Sequence, residues 1–310
     1  MSDADAWTGF RKEIGDALDL LSDVPRPTPD MRSLSPAGAL PSLLEQCRDL
    51  IGQAGDSAPP MLRSVHHLAC TGGTLISRCI AAMPNTQVLS EVDPLSPMAH
   101  KQPFHPTDLI GLVKSGSRPS EQSVLIRIFL AGLDALYRET HPIGVRLVLR
   151  DHAHGQFCVD DRVADRPTLG DILLREYTLC SLVTVRHPLD SYLSLLKRGW
   201  VHFSPGDIES YAQRYLAFLD RYEGVEILRY EDFVRDPEGR MQHICKVLSL
   251  SYNPAFEQII PALHLSGDSG RSGTVISPRP RRPVPEDLTA DLGASLSYAA
   301  LCRRLGYDPA

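Results

Sequence analysis

Hydrophobic positions along the chain follow two patterns: short apolar runs, and longer stretches in which apolar residues recur every three or four positions. The runs at 65–69, 86–93, 144–149, 179–185 and 225–228 predict strands, and their nearly continuous apolar character predicts burial on both faces of a sheet. Between them, Leu75, Ile76, Cys79, Ile80 and Met83 mark a helix that stops at Pro84-Asn85. Val124, Leu125, Ile128, Phe129, Leu133 and Leu136 mark a second over 121–141, a helix and turn are expected in 103–119, and further helices at 188–197, 211–222, 237–248 and 286–304. Strands that alternate with helices predict an α/β fold, a central mostly parallel sheet flanked by helices. Ahead of it, Trp7, Phe10, Ile14, Leu18 and Leu21 share one helical face, a Pro- and Ser-rich linker follows at 24–36, and Leu40, Leu43, Leu44, Cys47 and Ile51 give a second helix before an exposed loop. The expected organisation is an N-terminal helical extension, 1–60, and one large domain, 61–310.

Composition narrows the class. With 310 residues and 43% hydrophobic content the chain can bury a full core. A net charge of −6 argues against general affinity for nucleic acid or anionic membranes, so any anion must be bound locally. The N-terminus opens acidic without a long apolar run, and no segment approaches the ~20 apolar residues of a membrane span. Seven scattered cysteines without a C-x-x-C pair fit reduced thiols better than a disulfide framework or a zinc site, and a cytoplasmic protein is expected.

Chemistry concentrates where strands end. In 64–78, the apolar run with its two histidines breaks into Cys70-Thr71-Gly72-Gly73-Thr74, and Leu75 opens the helix. Glycines there admit an anion to backbone amides at a helix N-terminus, although the same pair also fits an ordinary strand-turn-helix link. The absence of a G-K-[ST] ending disfavours a Walker-type ATPase or kinase. The next strand ends in Glu91 and Asp93, either ligand-facing or solvated carboxylates. Another runs into Arg150-Asp151-His152-Ala153-His154, where Arg150 can hold an oxyanion and a histidine can take a hydroxyl proton; equally, Asp151 can pair with Arg150. A zinc reading of His152 and His154 lacks a further ligand at a suitable spacing. The strand at 179–185 leads into Arg186-His187-Pro188, and the helix begun by Pro188 sets Ser194 about two turns on, so that a phosphate could take the guanidinium and the hydroxyl together. Arg279, Arg281 and Arg282 lie in a proline-stiffened run that reads as an anion-gripping flap or a solvated loop.

In this order the pieces resemble the sulfotransferase family that uses 3′-phosphoadenosine 5′-phosphosulfate (PAPS), over most of 63–283. CTGGTLIS resembles the family's 5′-phosphosulfate loop, usually P-[KR]-S-G-T-T-L-L; VRHPLDSYLS resembles its 3′-phosphate motif, with Arg186 and Ser194 eight positions apart; YEDFVRDPEGRMQHICKVLSL resembles the tyrosine-acidic segment and the helix after it; RSGTVISPRPRR resembles the C-terminal closing loop. The resemblance implies a P-loop nucleoside-triphosphate-hydrolase-like sulfotransferase fold. It implies PAPS as donor, adenosine 3′,5′-bisphosphate as product, no metal, and a small-molecule or glycan acceptor. Donor-site residues would be Cys70, Thr71, Gly72, Gly73, Thr74, Leu75, Arg78, Arg186, Ser194, Tyr230, Ser272 and Arg279. RLVLRDH resembles the strand ending in Lys-x-His of cytosolic members, which would make His152 the base and Arg150 the sulfuryl-binding cation. LSEVD resembles the segment carrying the catalytic Glu of tyrosylprotein sulfotransferases, which would make Glu91 the base. His152 is preferred, with the other residue orienting the acceptor. Two departures stand out: Cys70 occupies the place of the loop's usual Lys or Arg, leaving Arg78 or Arg150 to supply the charge, and Ser277 stands where a Lys is expected, with Arg279 as substitute. The alternatives are a non-catalytic nucleotide-binding protein of the same fold and a nucleotide kinase-like enzyme.

Overall fold

The apolar runs become the strands of one parallel sheet in the computed structural model, which describes residues 42, 59–97, 108–118, 120–265 and 276–309. The strands are β1 Met61–His66, β2 Thr86–Val92, β3 Arg146–Asp151, β5 Thr178–Val185 and β7 Glu226–Arg229, in the order β2-β3-β1-β5-β7, and β4 Val159–Asp160 pairs with β6 His202–Phe203 apart from them. Every pairing is parallel. The helices are α1 Gly73–Ala81, α2 Leu109–Lys114, α3 Gln122–Thr140, α4 His154–Phe157, α5 Leu169–Leu173, α6 Pro188–Arg198, α7 Ile208–Arg221, α8 Tyr230–Arg235, α9 Pro237–Val247, α10 Phe256–Ile259, α11 Glu286–Ala294 and α12 Leu296–Leu305. By its contacts the chain divides into Met1–Ile51 and Gly52–Ala310, and this fold is that of the second unit. The helices expected at 5–22 and 40–51 lie, Ser42 apart, outside the described residues.

Side chains alternate across the sheet and each face finds its own cover. Val65, Val148 and Leu182 pack with Ile76, Ile80, Phe233, Met241 and Ile244 of α1, α8 and α9. On the other face Leu62, Leu147 and Leu149 meet Leu133 of α3, while Val183 and Val185 meet α6 and α7 through Leu189, Tyr211 and Phe218. Each fully buried aliphatic side chain contributes ~1.5–3 kcal/mol relative to exposure. Because the chain leaves β1 toward β2 on one side and later reaches β5 on the other, the C-terminal end of β1 is the place where the strand order reverses, the position at which open α/β sheets hold ligands.

Two boundaries differ from expectation. β1 begins at Met61, four residues before the apolar run, because its polar members are satisfied internally: the Arg63 guanidinium donates to the carbonyls of Leu248 (2.6 Å) and Ser249 (3.2 Å), and Ser64 shares a hydrogen bond with Ser181 (2.8 Å). Residues 67–69 thereby belong to the loop. The single helix expected over 286–304 is two, since Ser295 takes an extended conformation; its hydroxyl donates to Glu209 (2.6 Å) and accepts from the Tyr298 amide (3.1 Å), capping α12.

Candidate functional site

The loop between β1 and α1 is built from two left-handed residues, Cys70 (φ +66°) and Gly72 (φ +91°), the second ahead of α1 with no side chain capping the helix. A Cβ at Gly72 would lie 2.2 Å from Tyr230 Cδ2, and one at Gly73 2.4 Å from the His67 ring, so both positions require glycine for close approach. Thr71 is buried and its hydroxyl donates to the Leu68 carbonyl (2.8 Å), closing the turn from within. Leu75 packs inward with the α1 core face.

Arg150, at the end of β3, reaches across to this loop. It is 3% exposed; its Nε donates to His67 Nε2 (2.8 Å), one Nη to Ser90 Oγ (2.8 Å) and to Glu91 Oε1 (2.9 Å), and the other to Thr74 Oγ1 (2.9 Å). A cation is thus held against the first turn of α1, coming from the neighbouring strand instead of position 70. Arg78, one turn further along α1, donates to the Ile260 carbonyl (2.7 Å), which draws it toward the 256–262 segment.

Glu91 and His152 sit side by side because β2 and β3 end together. A register shift between Leu89 and Val92 leaves Glu91 at φ +61°, a conformation that costs on the order of 1 kcal/mol and turns the side chain out of the strand's alternation. One carboxylate oxygen meets Arg150 and the other lies 3.5 Å from His152 Nε2. Asp93 is committed elsewhere: both its oxygens accept from the Arg166 guanidinium (2.9 and 2.6 Å), while burial raises its pKa and Arg166 opposes the shift. His154 enters α4, buried, edge-on to His202. It does not join His152, and no cluster of three or more potential metal ligands occurs among the described residues.

On the other side of the loop, β5 delivers Arg186. Its Nη1 lies 3.4 Å from both the Cys70 carbonyl and Ser194 Oγ, its guanidinium stands 5.2 Å from the centre of the Tyr230 ring, and its Nε is buried without a hydrogen-bond partner among the described residues. The Ser194 hydroxyl donates to the Asp190 carbonyl (2.7 Å), as a serine in a helix commonly does. These are long contacts for a half-buried guanidinium, whose charge-assisted bonds ordinarily run about 2.7–2.9 Å. Tyr230 lies between Gly72 and Arg186 and so couples the loop to the second cation.

The arginine-proline run lies along α6. Arg281 contacts His187 Nδ1 (3.2 Å) and Asp190 (3.5 Å), and Arg282 donates to the Leu193 carbonyl (3.2 Å), whereas Arg279 is exposed. Ser272 lies outside the described residues. Of the sequence candidates, then, two groups converge on one loop: Thr74, Arg150, Glu91 and His152 on one side, and Cys70, Gly72, Arg186, Ser194 and Tyr230 on the other. Sequence reasoning did not assign His67 or Ser90, both bonded to Arg150; the pair of histidines inside an apolar run was the available signal.

No protein-family model and no curated protein matches the chain. Among solved structures it is similar to a sulfotransferase domain from the curacin biosynthetic pathway (16% identity, 82% of this chain and 100% of that one, TM-score 0.49). It is also similar to a sulfotransferase domain from a Synechococcus olefin synthase (17%, 82% and 97%, TM-score 0.46) and to a sulfotransferase from Alicyclobacillus acidocaldarius (17%, 81% and 97%, TM-score 0.43). At these identities and TM-scores, the chemistry has to be read from this chain's own residues.

Proposed function

We propose that the chain is a sulfotransferase that moves a sulfuryl group from PAPS to a hydroxyl or amine of a small-molecule or glycan acceptor. The observation that carries this reading is Arg186. The guanidinium is half-buried, its buried Nε has no hydrogen-bond partner among the described residues, and Ser194 and the loop carbonyl hold it only at 3.4 Å, so a 3′-phosphate supplies oxygens suited to it. The uncapped start of α1 and Arg150 provide a second positive region on the same loop, suited to the 5′-phosphosulfate.

When bound, the donor supplies the sulfuryl group, its bond to the 5′-phosphate oxygen breaking as the acceptor oxygen or nitrogen bonds to sulfur. The chain's part is to place charge and to take one proton. Arg150 holds positive charge where the transferring oxygens and the departing phosphate gather charge, taking over from the basic residue that Cys70 replaces. His152 accepts the acceptor's proton on its imidazole. Glu91, fixed on Arg150 by one oxygen and turned to His152 by the other, orients that ring and stabilises it once charged. Glu91 is already engaged by Arg150 at 2.9 Å, which leaves the imidazole as the group free to meet the acceptor.

The test is bisphosphate release from PAPS with a panel of phenols, amines and sugars as acceptors. His152→Ala should lose ~10²–10⁴ in turnover with bisphosphate affinity retained, and Glu91→Gln less. Full turnover in both variants would refute the assignment of the base. Bisphosphate binding without turnover on any acceptor would make the chain a binding protein.

A further inference from the structure

His66, the last residue of β1, and His67, the first of the loop after it, both contact the end of β3, from opposite faces of the sheet. His66 Nδ1 meets Asp151 (2.8 Å) on one face of the sheet, with the Tyr222 hydroxyl donating to the same carboxylate (2.7 Å). His67 meets Arg150 on the other, the face that carries the loop.

The geometry at His67 fixes its chemistry. The ring is buried, and its Nδ1 lies 2.9 Å from the Leu68 carbonyl, which can only accept, so Nδ1 carries the proton. Nε2 is then the acceptor for Arg150 Nε at 2.8 Å. A protonated ring would present a donor to a donor. Burial first, and the adjacent guanidinium second, hold the His67 pKa well below its ordinary value, so the ring stays neutral wherever the enzyme would work. Gly73 completes the arrangement, because any side chain there would occupy the ring's place.

We propose that His67 is a positioning residue that aims Arg150 at the first turn of α1, so that a cation from the neighbouring strand replaces the one position 70 lacks. With Nε fixed by His67, the guanidinium plane is set, and its two terminal nitrogens meet Thr74 on one side and Ser90 and Glu91 on the other. This rests on the sulfotransferase reading for its catalytic consequence, but the contact itself can be tested without it.

The experiment compares the full-length chain with His67→Leu, which keeps bulk and removes the acceptor, His67→Gln, whose amide oxygen restores one, Arg150→Ala, and the Leu/Ala double variant. His67→Ala repeats the comparison if His67→Leu does not fold. Turnover is read as bisphosphate release from PAPS with 4-nitrophenol or water as acceptor, bisphosphate affinity by calorimetry, and the contact by the exchange rate of the Arg150 Nε–H in a spectrum of ¹⁵N-arginine-labelled protein. His67→Leu should lower kcat about 10- to 100-fold, the scale of a misplaced catalytic group, with bisphosphate affinity within about twofold of the parent. His67→Gln should recover most of the loss, and the double variant should be no slower than Arg150→Ala, because His67 acts through Arg150. Equal kcat in parent and His67→Leu, or a double variant slower than Arg150→Ala by the full factor of the single change, would overturn the proposal. If the parent neither binds bisphosphate nor turns over PAPS, the sulfotransferase reading fails; a protected Nε–H lost in His67→Leu and regained in His67→Gln then still supports the clamp, and one unchanged in His67→Leu overturns it.

Discussion

Acidification should destabilise this protein well before its carboxylates titrate, and His154 provides the measurable part. It is the first residue of α4, 5% exposed and packed edge-on to His202 with 6.4 Å between ring centres. Burial, reinforced by His152 and His202, pushes its pKa from 6.5 down to about 3. Because the folded value lies below the unfolded one, the native state favours the neutral ring; its contribution is fully present above pH 6.5 and is lost as pH falls toward 3. Across that window the unfolded chain binds one more proton, at about 1.4 kcal/mol per pH unit, so by pH 5 His154 alone removes about 2 kcal/mol. Set against a typical total of 5–15 kcal/mol, that is a large fraction. His67 and His187, whose pKa values are also lowered chiefly by burial, act in the same direction. Glu209, whose serine contacts outweigh desolvation and bring it to about 2, loses stability only below its own ordinary value and lies outside this window. Urea unfolding at pH 7 and pH 5 measures the effect, with His154→Phe as the variant that keeps a ring and removes the titration. The parent should lose about 2 kcal/mol more than the variant between the two pH values. The same pH dependence in both would refute the reasoning, whatever the variant's stability at pH 7.

Two further substitutions test the donor site. Arg186→Ala should weaken adenosine 3′,5′-bisphosphate binding by about 3 kcal/mol, or ~100-fold, since charge-assisted bonds to a phosphate are worth about 1.5–3 kcal/mol each; unchanged affinity by calorimetry would remove the 3′-phosphate assignment. Gly72→Ala forces a Cβ into a left-handed residue 2.2 Å from Tyr230. It should cost about 1–2 kcal/mol in the backbone alone and, by displacing the ring under Arg186, weaken bisphosphate binding as well. A variant that melts like the parent and binds as tightly would show that the loop does not need this close approach.

Periodicity determined the elements and their order. Apolar runs and helical stripes are local properties, and all five strands of the parallel sheet were legible from them, as were the helices at 122–140, 188–198, 208–221 and 237–247. The fixed offset between Arg186 and Ser194 carried its own geometry, since Pro188 starts a helix and two turns of helix bring the pair together. Where the chain alone misled, polar residues were solving a tertiary problem. Arg63 and Ser64 belong to β1 because the carbonyls of Leu248 and Ser249 and the hydroxyl of Ser181 are waiting for them, and those partners are over 100 residues away. Ser295 breaks the last helix in favour of Glu209.

The site shows the same division more sharply. Strand ends rich in Arg, His and Glu pointed to the neighbourhood of the proposed site, but the sequence left both Arg78 and Arg150 as candidates for the cation Cys70 does not supply. Only the sheet order decided between their positions, because β3 lies beside β1 and brings Arg150 to Thr74, while the turn of α1 carries Arg78 to Ile260. Likewise Glu91 and His152 were rival bases in the sequence and are a contacting pair in the structure, joined by a register shift that no local pattern announces. Local periodicity is written into neighbouring residues; which charge faces which is set by strands that meet only after the chain has folded.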